Sequence, residues 1–267
     1  MASALTPYAA ILRSRVTAQA TYRTSFAAEV AGQVFLTVVD FAEVYVIFSQ
    51  VEAVGGFNYA EVALLFGLAA TGFSLADLVI GQVEHVSRHV RDGSFDVFLL
   101  RPLSTLAQLA SSEFQLRRVG RLAQALVILA IALAVVDVHW TPARVLLALL
   151  TPLMGAVVFA SIFVATAALS FWLVEGQEAA NAFTYGGNYL SSWPFDVFAV
   201  AVRSFFTFVV PTAFVAYVPT LGLLGRAESS GFPSWLPWCT PLVALLTCGV
   251  AALAWRTGVR HYVGTGS

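Results

Sequence analysis

Four carboxylates sit in stretches otherwise fit only for hydrocarbon: Glu29, Asp40 and Glu43 in the first such stretch, Asp77 in the second. A charge there is costly and normally faces protein or water. Asp40 and Glu43 are three residues apart and share a helical face. Two chemistries suit such acids. One is a proton or cation pathway; the other is a polar face against a second membrane subunit or a hydrophilic cavity, and this is the preferred reading. No basic residue lies within the same two stretches, so the acids are expected to need water, a shared proton or a partner chain.

Other candidate chemistry is thinner. His85 and His89 in "EHVSRH" are four residues apart with Glu84 adjacent, which places two imidazoles on one helical face as a metal site requires. The order is not H-E-x-x-H and the next histidine is His139, so a solvated helical face is the better reading. No G-x-S-x-G elbow or suggestive Cys/His spacing is present, and nothing reads as an active site. Cys239 and Cys248 would lie about 13 Å apart on a helix, too far for a disulfide, and read as two unpaired thiols. All 14 basic residues are Arg. Without Lys there is neither a phosphate-binding G-x-x-x-x-G-K-[ST] loop nor a Schiff-base amine. If ATP drives this protein, another chain must hydrolyse it.

The elements that would position these residues follow from composition. The chain is 59% hydrophobic, with 14 basic and 15 acidic residues among 267, and its mean hydropathy is +0.81. Soluble domains are about 45–50% apolar, and 29 charges are too few for a polar shell. The formal net charge of -1 gives no support to nucleic-acid binding. Residues 1–25 carry Arg13, Arg15 and Arg23 and no early apolar h-region, so the first hydrophobic segment is expected to be retained.

Six segments reach the roughly 20 apolar residues a span needs: 26–49, 59–81, 122–138, 143–174, 197–224 and 236–255. The expected fold is an all-α membrane protein, a single transmembrane domain over 1–267. Arginine placement orients it. If six spans alternate, eleven Arg fall on one side, in the N-terminus, the connection from span two to span three, and the C-terminus. Only Arg144 and Arg226 fall opposite, and Arg203 lies in the first turns of span five. Both termini are therefore expected in the cytoplasm. Trp235 and Trp238 then read as an external interfacial belt, in a segment whose three prolines forbid one regular helix. Residues 7–22 are a candidate helix lying on the membrane surface.

The fifth segment begins at "YGGNYLSSWPFDVF". Gly186, Gly187 and Pro194 are expected to break the chain, Asp196 and Arg203 to pair, and Pro211 and Pro219 to bend the span. Arg203 and Pro211 join Asp40, Glu43 and Asp77 as candidates for a translocation pathway. The largest polar excursion is residues 82–121. Within it, Gly93 can end one helix and the "RPLS" after Arg101 can start the next. Between them Phe95, Phe98, Leu99 and Leu100 offer apolar surface on a charged support, the character of a protein docking face.

"GSFDVFLLRPLS" resembles the G-x-x-D-x-x-L-x-R-P-[LI] signature of a six-span bacterial branch of ABC-2 type transporter permeases. "YGGNYLSSWPFDVF" and "VVPTAFVAYVP" resemble that branch around its fifth span. The resemblance covers residue 20 to the C-terminus. It implies a permease in the bacterial plasma membrane, without cofactors of its own, whose ATP and Mg²⁺ are bound by two copies of a separate ABC ATP-binding subunit. It also implies a second permease chain, different but related, and export of a drug-like, antibiotic, polysaccharide or lipid-like substrate. By position, 83–91 and the Gly93–Pro102 motif form or brace the coupling loop: Arg91, Asp96 and Arg101 hold it, while Phe95 and Leu99 pack it. The competing expectation is a stand-alone proton-coupled secondary transporter using Asp40, Glu43 or Asp77.

Overall fold

The computed structural model describes residues 44–112, 115–173 and 176–262, with isolated positions closer to the N-terminus. Glu29, Asp40, Glu43, most of the first expected span and the candidate surface helix at 7–22 lie outside the described residues.

After Asn58 the chain winds into α1 (Tyr59–Ile80). The Asn58 side chain accepts from the Glu61 amide and the Glu61 carboxylate accepts from the Asn58 amide, satisfying two orphan helix donors. A 3-10 turn at Gly81–His85 carries α1 into α2 (Val86–Arg91), making a helical run of 33 residues. Two short helices follow, α3 (Asp96–Leu99) and α4 (Thr105–Ala110), the latter capped by Ser104. Then come α5 (Leu116–Val135), α6 (Pro142–Ala168), α7 (Gly176–Ser191), α8 (Val200–Phe208), α9 (Tyr217–Leu224) and α10 (Thr240–His261). The start of α6 is encoded locally, since Thr141 caps the Arg144 amide and Pro142 takes the first helical position, where no N–H is needed. Among the described residues there is no strand, only an isolated bridge between Val54 and Phe57.

Among the described residues, four helical runs are long and apolar enough to cross a membrane: Tyr59–Arg91, Arg117–Val135, Pro142–Phe171 and Leu236–His261. They correspond to the second, third, fourth and sixth expected spans. The run from α1 is the central one, packed against both α5 and α6. Glycine lets these backbones meet. A Cβ on Gly67 would lie 2.9 Å from the Leu129 Cα, and one on Gly72 would lie 3.2 Å from the Gly155 carbonyl carbon. α10 packs along α6 on the outside of the bundle.

The bundle has two ends. At the loop end, α2, α3 and α4 fold onto the last turns of α6 and α10, around Val83, Val86, Phe95, Leu109, Phe171 and Trp255. At the far end, Phe57, Phe195 and Tyr217 close the main core.

The fifth expected span is corrected. α8 and α9 meet at a 75° bend, and both outer ends of this pair lie at the far end. At the start of α8, Arg203 donates to the Ser230 carbonyl, while just past α9, Arg226 donates to the Gly56 carbonyl. The pair thus enters and leaves on the same side. The two ends of the bundle are linked instead by α7, whose Tyr185 reaches Glu84 at the loop end and whose C-terminal continuation, Pro194 to Val197, abuts Gly55 at the far end. Its 16 residues span about 24 Å. Gly186 and Gly187 sit inside α7 and do not break it. Each costs about 1 kcal/mol of helix propensity, and packing against α6 and α1 overrides that. Pro211 does mark the bend. Pro219 does not, because it occupies the third position of α9, within the first turn where the missing N–H has no helical partner to lose.

Candidate functional site

The loop at 86–110 is a small folded unit. α2 ends at Arg91, and Gly93 adopts φ +68°, the left-handed conformation a helix C-terminus favours. This reversal lets the Phe95 amide donate to the His89 carbonyl at 3.0 Å, while His89 Nδ1 lies 2.8 Å from Ser94 Oγ. Phe95 is fully buried, its ring 5.1 Å from those of both Phe171 and Tyr262. On the return, the Gln108 amide donates to the Phe98 and Leu103 carbonyls, and the Trp255 indole donates to Thr105 Oγ1. Burial first, and then the nearby Asp96 carboxylate, push the Tyr262 hydroxyl above its ordinary pKa.

The opposite face of this unit is bare. Val97, Leu99 and Leu100 are exposed, Leu100 at 85%, and the exposed Arg91, Asp92, Asp96, Arg101 and Pro102 are interspersed with them along the chain. Phe95 packs the loop as expected. Leu99 does not, since it points outward. Arg91, Asp96 and Arg101 form no ion pair among the described residues, while Asp96 lies beside the Tyr262 hydroxyl. Phe95, Gly93 and Gln108 hold the loop through packing, a left-handed turn and backbone hydrogen bonds.

Beneath the loop lies a cluster of buried charges. Asp77, near the end of α1, has Arg118 Nε at 3.2 Å and Arg121 Nη1 at 3.1 Å, both from α5. Only the Arg121 contact is aligned as a hydrogen bond. Arg118 is 4% exposed and lies 3.8 Å from Glu84, which accepts a hydrogen bond from Tyr185 of α7 at 3.1 Å. His85 flanks Glu84 at 3.7 Å. The cluster joins α1, the Gly81–His85 turn, α5 and α7. The expectation that Asp77 needs water, a shared proton or a partner chain is therefore overturned. Its counter-charges stand 41 and 44 residues further along, in a stretch that reads from the sequence as part of the polar excursion. Gly81 makes room for them: a Cβ there would fall within 3.0 Å of both the Asp77 carboxylate and the Arg118 guanidinium.

At the far end, the Arg203–Asp196 pair forms as expected, at 2.8 Å, with Arg203 also 5.1 Å above the Phe232 ring. The Tyr217 hydroxyl donates to the other Asp196 oxygen. Glu61 receives both Arg226 nitrogens, at 2.6 and 3.1 Å. These pairs pin the α8–α9 hairpin at its base. Pro211, at its tip, lies at an apolar cavity between α6, α7 and α10. Arg203 and Pro211 thus belong to one hairpin but to opposite ends of it, and Asp77 belongs to the loop-end cluster. Sequence reasoning named Glu84 only as a neighbour of His85 and missed Glu61, Arg118, Tyr185 and Arg226 as partners. The N-x-x-E spacing of Asn58 and Glu61 was the one legible signal, and it marks a helix start rather than an ion pair.

An all-helical bundle with several membrane-length runs and a folded loop at one end defines a multi-pass membrane protein. The chain belongs to the ABC-2 family of transporter proteins, whose family model matches residues 34–266. That makes it a transport component of the membrane, of a kind that typically works with an ATP-binding subunit. No curated protein and no solved structure matches it.

Proposed function

We propose that this chain is the permease of an ATP-driven exporter and that its 86–110 loop is the element gripped by a separate ATP-binding subunit. The observation carrying this reading is the loop's two-sidedness: a fully buried Phe95 fixes it to the bundle, while Val97, Leu99 and Leu100 stand exposed among exposed charged residues of the same segment. An apolar patch with a polar rim is the anatomy of a protein interface. On this reading the loop end is cytoplasmic, as its richness in Arg suggests, and the membrane is the bacterial plasma membrane. Two ATP-binding subunits carry the ATP and Mg²⁺, and a related second permease completes the membrane core. The substrate is drug-like, antibiotic or lipid-like.

ATP-driven closure of the paired subunits would pull on the loop. Because the loop shares its base with the Asp77–Arg118–Glu84 cluster, the pull reaches α1, α5 and α7 together, shifting the bundle between two packings. Asp77 is already neutralised by two guanidinium groups, which weighs against its use as a proton carrier in a stand-alone transporter.

The test is purification in mild detergent with the neighbouring gene products. Retention of an ATP-binding subunit by the parent chain and its loss from Leu100→Asp support the proposal. A lone chain that transports on an ion gradient, with no nucleotide requirement, overturns it.

A further inference from the structure

The cavity under the α8–α9 hairpin tip has a volume of about 610 Å³, within the range of small-molecule sites. Its walls are hydrocarbon: Ile162 from α6, Phe183 from α7, Phe214 after the hairpin tip, and Val243, Leu246 and Val250 from α10. Four hydroxyl residues also line it, and each has turned its proton inward onto its own helix. Ser161 donates to the Val157 carbonyl, Thr166 to Ile162, Thr207 to Arg203 and Thr247 to Ala244.

The broken backbone at the roof is spent in the same way. The Val209 and Val210 amides donate to the Phe205 carbonyl, the Thr212 amide donates to Val210, and Pro211 has no N–H. A guest entering here therefore meets no free hydroxyl or amide donor from these groups. The cavity opens sideways, between Phe208 and Val209 of the hairpin and Leu246 and Val250 of α10, all more than 60% exposed. Because α6 and α10 are membrane-length runs, that opening faces the bilayer interior.

We propose that this cavity is a lateral binding site for one acyl chain of a membrane phospholipid. A sugar or a peptide would strand its polar groups against a wall without donors, at a cost of about 1–3 kcal/mol each. A saturated chain loses nothing there and fills space that would otherwise stand empty. The inference rests on the chain spanning a bilayer and not on the loop's role in ATP coupling, so either can fail alone.

The full chain, reconstituted in phosphatidylcholine nanodiscs containing a trace of phosphatidylcholine with a diazirine in mid-chain, is irradiated and the adducts are mapped by peptide mass spectrometry. Adducts concentrated on 205–214 and 243–254, several-fold above those on the exposed outer face of α5 (Leu126, Val127), are the expected result. Val250→Trp, at an exposed position on the cavity mouth, should abolish that excess without altering labelling of α5. Labelling spread evenly over all exposed apolar faces overturns the proposal. So does a result in which a photoreactive side chain at Val250 joins two permease chains in place of lipid, because the cavity is then a subunit interface.

Discussion

Phe95→Ala tests the folded loop most directly. The Phe95 side chain is fully buried and touches the rings of Phe171, Tyr262 and, at 6.1 Å, Phe98. Truncating a buried Phe costs about 3–5 kcal/mol, the transfer and cavity contributions together. That cost falls on the loop, because Phe95 sits at the centre of the small cluster that holds α2, α3 and α4 to the ends of α6 and α10, and the long helices keep their own packing. At about 1.4 kcal/mol per decade, the open population of the loop should rise by roughly two to four orders of magnitude. Hydrogen exchange of the full chain in detergent, followed by mass spectrometry, reads this directly. Peptides within 86–110 should exchange faster by that factor, while peptides within 145–165 of α6 stay unchanged. Leu100→Ser is the companion variant. Its side chain is 85% exposed, so stability should move by no more than about 0.5 kcal/mol, yet stimulation of the ATP-binding subunit should fall. Exchange in 86–110 indistinguishable from the parent would refute the claim that Phe95 anchors the loop.

Three further outcomes follow from the buried charges and the glycines. Asp77→Ala removes the carboxylate that two guanidinium groups share and leaves Arg118, at 4% exposure, only the more distant Glu84 at 3.8 Å. It should lower stability by about 3–5 kcal/mol, and the added change Arg118→Met should restore part of that in a thermal-denaturation double-mutant cycle. Gly81→Ala drives a methyl group into the Asp77 carboxylate and should lower the melting temperature, whereas Gly186→Ala, with nothing within 4 Å of its Cβ, should be neutral or raise stability by up to about 1 kcal/mol. Glu61→Gln removes the charge from a pair held at 2.6 and 3.1 Å. It should cost about 1.5–3 kcal/mol, with new protease cleavage near 225–232 as the readout.

Long-range partners explain where sequence and structure part. Hydrophobic length is a local property, so the runs at 59–91, 117–135, 142–171 and 236–261 were legible to within a few residues at most ends. The stop at Gly93 and the start at Thr141–Pro142 were encoded in the same local way. α7 was not legible, because a 16-residue helix carrying Gln, Glu, Asn and two glycines is less apolar than its neighbours, and only its contacts show that it links the two ends of the bundle. The next segment, apolar and long enough on paper, folds back because Arg203 and Arg226 find partners at the same end.

The sequence by itself therefore determined that this is a helical membrane protein, that its arginines crowd one end, that it has no phosphate-binding lysine of its own, and that a broken, charged segment stands at residues 91–104. Only the tertiary structure decided what that segment does with its side chains. Phe95 turns inward and Leu99 and Leu100 turn out, because a left-handed glycine and the rings of Phe171 and Tyr262, from the far half of the chain, choose between faces that local spacing leaves equal. It decided likewise that Asp77 is neutralised by Arg118 and Arg121. Charge pairing is a matter of a few ångströms in space, and a separation of 41 or 44 residues along the chain carries no trace of it.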